Sequence, residues 1–217
     1  MVWLALLAMA PRARAPAPPA AIYPHPAPAD LASTTRLAAE AQGVSGPEAR
    51  LACRVLAPHL SLCFDQAPGA DLTLVTEADL LAWGHDAAWL DAQARQTALA
   101  GLTDHRPTPT PVPGMTGTYW VSAEADGLDA AGLLYPERLA QIAGAPVVVA
   151  VPVSGALLFW VPGDPAFDEV MAVGVARLYQ SSDQRVSSKL YRWDGARWVV
   201  YGEAVLSGAP AGSTPVP

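Results

Sequence analysis

An Asp-Gly pair at positions 194–195 separates two strand-like segments, residues 189–193 and 197–201. Asp-Gly tolerates the positive φ angles of a type I′ turn and is the strongest short-range signal for a β-hairpin. Two continuous apolar runs, residues 147–151 and 156–161, are likewise separated by a short turn containing Pro and Gly, which indicates a hairpin buried on both faces. Because strands joined by tight turns are antiparallel, the sequence predicts a mainly antiparallel sheet.

Helical patterns alternate with these strands. Thr76 with Asp79 and the pair Asp164-Pro165 are helix-start signals. Two helices carry an apolar stripe: Leu90, Ala94, Ala98 and Leu102 after Asp86, and Phe167, Val170, Met171, Gly174 and Leu178 after Pro165. We also predict a helix over 45–56 and strands over 60–64, 72–75 and 118–122. The expected fold class is α+β, with a mainly antiparallel sheet of about six or seven strands covered by three to five helices.

The chain has 217 residues, 52% apolar and 15% charged, which suits one folded domain. We place this domain at residues 29–203, between an apolar start with a Pro/Ala-rich arm at 1–28 and a flexible tail at 204–217. The net charge of −7 opposes binding to phosphate backbones, so nucleic acid is not expected as a partner. No apolar run reaches 18 residues, so no membrane span is expected.

Two features bear on the compartment. Residues 2–10 are apolar and an Ala-Arg-Ala triplet follows at 13–15, which resembles an export signal, although no Lys or Arg precedes the apolar stretch. Cys53 and Cys63 are the only cysteines and lack metal-site spacing. They would form one disulfide in an exported protein, or stay reduced as core residues in the cytosol. We predict a cytoplasmic protein, with export as the alternative.

No common catalytic motif is present: the sequence lacks HExxH, Walker A, GxSxG, EF-hand and Rossmann patterns, and its four histidines are scattered. No catalytic residue, metal site or cofactor is therefore assigned. Asp126 and Asp129, with Asp65 and beside Trp120, could supply acid and base in a hydrolase or carbohydrate-active enzyme. The structural interpretation is favoured, because Asp129 suits a helix N-cap and Asp126 suits a turn.

Charge is unevenly distributed along the chain. Residues 55–94 contain six acids and neither Lys nor Arg, which predicts a negative face. Basic residues gather near the last hairpin, whose two flanking tryptophans are expected to be partly exposed. The candidate interaction residues are Arg185, Lys189, Arg192, Trp193, Arg197 and Trp198. Such a polarised chain suits an acidic protein partner or head-to-tail self-association.

Six segments carry a resemblance that spans most of the chain. They are Ile22-Tyr23-Pro24, LVTEADLLAWG from Leu74, RQTALAGL from Arg95, ADGLDAAGLL from Ala125, VVVAVPVSGALLF from Val147 and SKLYRWDG from Ser188. Together they resemble the YtpQ-like family of bacterial proteins, a domain of unknown function. The resemblance implies an intracellular α+β protein without an established activity or cofactor. Gly101 stands where the family usually has Asn, so an inherited polar site would be incomplete here.

These observations favour a non-catalytic interaction or structural module. The first alternative is an enzyme, which requires the carboxylates of Asp126, Asp129 or Asp65 to converge in a pocket beside Trp120. The second alternative is an exported ligand-binding protein, which predicts a disulfide between the two cysteines.

Overall fold

The computed structural model describes residues 17–67, 72–104, 107–123, 128–129 and 131–206. Over these ranges the chain forms five α-helices and two antiparallel sheets, so the predicted α+β class is confirmed. The strands are divided between a three-stranded and a six-stranded sheet, where a single sheet was predicted. No helix within these ranges is long and apolar enough to cross a membrane.

The elements alternate along the chain. The strands are β1 (Tyr23–Pro28), β2 (Arg54–Ala57), β3 (Leu60–Asp65), β4 (Thr108–Pro111), β5 (Thr118–Ser122), β6 (Val148–Val153), β7 (Ala156–Trp160), β8 (Lys189–Trp193) and β9 (Trp198–Glu203). The α-helices are α1 (Leu31–Ala41), α2 (Glu77–Trp83), α3 (Ala87–Asp104), α4 (Pro136–Ala143) and α5 (Pro165–Ser181), and short 3-10 helices span Gly46–Ala49 and Ala131–Leu134. The small sheet has the order β1-β3-β2 and the large one β4-β5-β7-β6-β8-β9.

Local capping chemistry fixes the helix starts as predicted. The Thr76 hydroxyl accepts a hydrogen bond from the Asp79 backbone N–H at 3.2 Å, and the Asp79 carboxylate accepts one from the Thr76 N–H at 2.9 Å. This reciprocal capping box satisfies two helix-end donors of α2 that would otherwise lack partners. At α5 the Asp164 carboxylate accepts from the Ala166 N–H at 3.0 Å, and Pro165 occupies the first helical position.

The last hairpin forms, but its predicted turn type is wrong. The loop spans four residues, 194–197, where the type I′ turn has two. Within it only Gly195 has a positive φ, of 102°. The Asp194 carboxylate instead accepts hydrogen bonds from the backbone N–H groups of Ala196 and Arg197, both at 2.9 Å, and these bonds lower its pKa. The aspartate therefore organises the loop through its side chain rather than through a left-handed backbone.

One line of directly paired residues crosses the whole six-stranded sheet, and we call it the cross-strand row. It consists of Pro109, Trp120, Phe159, Val149, Tyr191 and Val200, from β4 to β9. Paired residues in antiparallel strands project from the same face, so these side chains lie side by side. The middle of the row is buried in a cluster with Leu133 and Leu139, while helix α5 covers the opposite face of the sheet.

The three-stranded sheet packs against helix α3. Leu90, Ala94, Ala98 and Leu102 are all buried there with Leu62 and other residues of the sheet side, which confirms the predicted helix face. Helix α5 departs from its predicted stripe, since Val170 and Leu178 are 40% and 42% exposed whereas Val175 and Ala176 are buried. Phe167 and Met171 of the predicted stripe are buried with them, so the stripe is confirmed in part and the buried face is shifted toward Val175 and Ala176.

The predicted helix over 45–56 is wrong. Only the 3-10 turn Gly46–Ala49 is helical, and the chain then forms strand β2. A disulfide between Cys53 and Cys63 links the residue that precedes β2 to the middle of β3. Pairing with β3 and this covalent link outweigh a weak local helical pattern, as tertiary contacts commonly do. The predicted strand over 72–75 contributes only isolated bridges, such as Leu74 with Asp65.

The proline-rich segment around residue 25 is part of the folded unit. Residues 23–28 form β1 and pair with β3, so the predicted arm at 1–28 ends in a strand of the domain. Prolines occupy alternate positions, 24, 26 and 28, and because proline has no N–H, the donors to β3 come from the residues between them. The outer edge of β1 then lacks N–H donors, which protects it from pairing with other strands. Residues 207–217, and with them most of the predicted tail, lie outside the described residues.

Candidate functional site

The predicted carboxylates do not gather beside Trp120 in the part of the chain that the structure describes. The Asp65 carboxylate accepts hydrogen bonds from the backbone N–H groups of Ala67 and Thr73, at 3.2 and 3.0 Å, at the end of β3 in the small sheet. Asp129 is buried, and its carboxylate accepts from the Ser122 hydroxyl at 3.2 Å. Asp65 therefore holds the backbone of the loop after β3, and Asp129 links its own loop to the Ser122 side chain of β5. Asp126 lies outside the described residues.

Trp120 itself lines an open cavity of about 560 Å³, which we call the Trp120 groove. The groove lies where the C-terminal part of α3, strands β4 and β5, and helix α4 meet. Its lining residues are Leu102, Pro107, Thr108, Pro109, Trp120, Arg138, Gln141 and Ile142. This volume falls within the range of roughly 300–1,000 Å³ that is usual for small-molecule sites.

The sheet holds the Trp120 ring in place. Trp120 stacks on Phe159 with ring centroids 5.4 Å apart and planes 9° from parallel, and Pro109 is its direct partner on β4. Among the described residues the indole N–H of Trp120 has no protein partner, and no buried side-chain nitrogen or oxygen is left without one. The indole N–H therefore reaches solvent. Trp120 presents a fixed aromatic surface together with an available donor.

Polar groups border this surface. Arg138 and Gln141 lie three residues apart on α4, a spacing that places both on one face of the helix. The Arg138 guanidinium donates to the Gln141 side-chain oxygen at 3.2 Å, which orients the guanidinium. Among the described residues that line the groove, Arg138 is the only charged one. Thr108 also lines the groove but pairs with Val121, so its side chain projects from the opposite face of the sheet. The groove thus combines an apolar floor with several hydrogen-bond donors and one positive charge.

A second cavity, of about 340 Å³, lies between the start of α1, the β2–β3 turn and the segment before β8. His59 lines it in the left-handed conformation, with φ of 65°. Asp30 lines this cavity too, and among the described residues its carboxylate makes no hydrogen bond or ion pair. Lys189 is already paired, since its ammonium contacts the Glu203 carboxylate at 2.7 Å and lowers the pKa of Glu203. The Tyr191 hydroxyl, close by, is bonded to the Ser187 hydroxyl at 2.7 Å. The Tyr191 hydroxyl also donates to the Pro58 carbonyl at 3.1 Å, which connects β8 of the large sheet to the β2–β3 turn of the small one. Lys189 and Tyr191 therefore bind groups of the protein itself.

The predicted basic interaction surface is largely satisfied within the fold. Arg185 donates to the carbonyl oxygens of Ser182 and Gln180, at 2.8 and 2.9 Å, and Lys189 is paired with Glu203. Arg197 lies 3.6 Å from the Asp194 carboxylate. Over the described ranges only Arg192 of this set, exposed on β8, makes no hydrogen bond or ion pair.

The prediction that both hairpin tryptophans are partly exposed is wrong for Trp198. Its side chain is buried, and its indole N–H donates to the Leu133 carbonyl at 2.9 Å. Trp193 is half-buried and meets Trp198 edge to face, with centroids 5.6 Å apart. Trp198 therefore belongs to the core under the sheet.

The predicted negative face is partly paired with arginines. Asp91 contacts Arg54 and Arg95, each at 2.8 Å; burial opposes ionisation of Asp91, but the two arginines lower its pKa overall. Glu77 contacts Arg50 at 2.6 Å, and Asp79 caps α2. Arginines that flank the acidic stretch in sequence therefore contact two of its acids in the folded protein, which reduces the negative charge of this surface.

The histidines stay apart, as the sequence suggests. His25 lies on β1, where burial lowers its pKa, and His85 stacks on Trp89 with centroids 4.1 Å apart. His105 falls outside the described residues. Over the described ranges no three His, Cys, Asp or Glu side chains are grouped closely enough to hold a metal ion.

Sequence reasoning identified Trp120 but missed the residues that complete its groove. Arg138 and Gln141 carried a local signal, since their spacing on a helix starting at Pro136 predicts a shared polar face. The partnership of Pro109 with Trp120 depends on strand register and had no local signal. No family model, no curated protein and no solved structure matches this chain.

Proposed function

We propose that this protein is a non-catalytic binding module whose ligand occupies the Trp120 groove. The observation that supports this proposal most directly is the arrangement of the groove: a fixed tryptophan surface, a free indole N–H and the oriented Arg138–Gln141 pair. Ligand sites commonly combine an apolar surface with a few placed polar groups. Among the described residues that line the groove, none is a carboxylate, histidine or cysteine that could act as acid, base or nucleophile.

The hydrolase alternative receives no support from the described carboxylates. Asp65 and Asp129 accept hydrogen bonds from backbone and hydroxyl groups and do not line the groove. The YtpQ-like resemblance stays a prediction and is compatible with a binding role.

For the compartment we favour export over the cytoplasm. A disulfide between Cys53 and Cys63 is the pairing that the export alternative requires, and disulfides persist mainly in oxidising compartments. An exported binding module therefore accounts for both the disulfide and the groove. Mass spectrometry of the protein from its native cells tests this point: alkylation of both thiols before reduction would contradict export.

The binding function can be tested with a glycan array and a library of proline-rich peptides. We expect at least one probe to bind the wild-type protein and to lose about tenfold or more in affinity on Trp120→Ala. Trp193→Ala is the matched control, because Trp193 is also half-buried and lies outside the groove. Circular dichroism and a thermal scan verify that both variants fold. Equal binding by Trp120→Ala, no bound probe, or turnover of a bound probe would contradict the proposal.

A further inference from the structure

We propose that the Trp120 groove binds an acidic saccharide, with a sugar ring stacked on Trp120 and a carboxylate held by Arg138. This inference rests on the binding function proposed above and names the ligand class. It is argued from the shape, the donors and the charge of the groove.

The floor of the groove suits a sugar ring. A pyranose has a face of C–H groups and a rim of hydroxyls, and the C–H face packs favourably against an aromatic ring. Trp120 is held flat against Phe159, so only the opposite face of its indole is available to a ligand. Pro109, paired with Trp120 across β4 and β5, extends this apolar surface by one strand. The resulting platform is narrow and preorganised, so little ordering is required on binding.

The rim of the groove suits hydroxyl and carboxylate groups. The Trp120 indole supplies a donor from β5, and the Gln141 amide lies on the α4 side. Arg138 uses one N–H to bind Gln141, which leaves the rest of its guanidinium for a ligand. A guanidinium matches a carboxylate with two parallel hydrogen bonds, and such charge-assisted bonds are stronger than neutral ones.

The charge of the groove favours acidic saccharides over neutral ones. Arg138 is the only charged side chain among the described lining residues, in a chain whose net charge is −7. The groove is thus a local positive site on an acidic protein, which favours an anionic ligand at that position and disfavours long polyanions such as nucleic acids. A proline-rich peptide is a less suitable ligand, because domains that bind such peptides use grooves lined by several aromatic residues. Trp120 is the only aromatic residue among the described residues that line this groove.

Calorimetry with defined trisaccharides tests the inference. The probes are a trisaccharide of galacturonic acid and the corresponding neutral trisaccharide of galactose. We expect the acidic probe to bind wild-type protein at least about tenfold more tightly, and Arg138→Gln to remove this preference. Arg192→Gln is the matched control, because Arg192 is an exposed arginine on β8 outside the groove and the charge change is identical.

The outcomes separate this inference from the binding function itself. Equal binding of the two trisaccharides, with both lost on Trp120→Ala, would overturn the acidic preference and leave the binding function intact. Binding of a proline-rich peptide at Trp120 would overturn the saccharide assignment in the same way. Binding of the acidic probe that is unaffected by both Arg138→Gln and Trp120→Ala would overturn the assignment of this groove. A failure of the acidic trisaccharide to bind at millimolar concentration would overturn the inference outright.

Discussion

Removing the Cys53–Cys63 disulfide should weaken the fold by an amount that its position allows us to calculate. The two cysteines are ten residues apart in sequence, and cross-linking a loop of that length lowers the entropy of the unfolded chain by an equivalent of ~2.7 kcal/mol at 25 °C. Cys63 is buried at the middle of β3, so replacing it by alanine also removes packing contacts. We expect the double variant Cys53→Ala, Cys63→Ala to lose about 3–4 kcal/mol of unfolding free energy.

The loss should be concentrated at one edge of the small sheet. Strand β2 has four residues and a register shift between Val55 and Ala57, and it pairs only with β3. Cys53 immediately precedes this strand, so the disulfide fixes its start. Without the link, the amides of β2 should exchange with solvent faster, while those of β6 and β7 should keep their protection relative to global unfolding.

Urea unfolding followed by tryptophan fluorescence measures the loss, and amide exchange locates it. Wild-type protein in a reducing buffer provides a control without substitutions and should approach the stability of the double variant. An unchanged urea midpoint for the double variant, or two titratable thiols in the untreated wild-type protein, would refute the reasoning. Loss of the same free energy with uniform exchange throughout both sheets would refute the assignment to β2.

Two further predictions concern packing and pH. At Gly117 a Cβ would overlap the Phe167 ring, so we expect Gly117→Ala to lose about 1–3 kcal/mol of unfolding free energy in a denaturant titration. Gly155→Ala is the control, because a Cβ there has open space, and its unfolding free energy should be within about 0.5 kcal/mol of wild type. Equal stabilities of the two variants would contradict this prediction. Burial raises the pKa of Tyr191 to about 12, against about 10 in the unfolded chain, so this tyrosine stabilises the fold fully below pH 10 and progressively less as the pH rises to 12. Between pH 9 and 11.5 wild-type protein should therefore lose up to roughly 2 kcal/mol more stability than Tyr191→Phe does, and parallel pH profiles would contradict the assignment.

The sequence predicts the elements whose signals are local. The capping box at Thr76, the cap and proline at Asp164-Pro165, and the apolar face beginning at Leu90 each depend on residues within a few turns of one helix, and each is confirmed. The helix predicted over 45–56 fails because its outcome is decided by β3 and by a disulfide to Cys63. No local pattern contains that information.

Charge and exposure were predicted less well, for a related reason. A stretch of acidic residues predicts a negative surface only if no cationic side chain from elsewhere in the chain contacts it. Here Arg54 and Arg95 both contact Asp91. Similarly, the position of Trp198 beside a turn predicts an exposed side chain. In the structure its indole N–H instead donates to the Leu133 carbonyl. In both cases the deciding partner comes from another element, so the surface of this protein could not be obtained from spacing alone.

The position of the groove follows from which part of the large sheet is covered by core residues. The cross-strand row continues from β9 to β4, and its middle residues are covered by the cluster around Leu133 and Leu139. These covering residues do not extend over β5, where the groove lies. Trp120 is therefore packed on Phe159 but borders the groove on the side of α4. A ring whose position is set by core packing cannot rotate freely to suit a ligand. The groove should therefore bind by fit to a preformed surface, and substitutions at Phe159 should weaken binding by displacing Trp120 without touching the ligand.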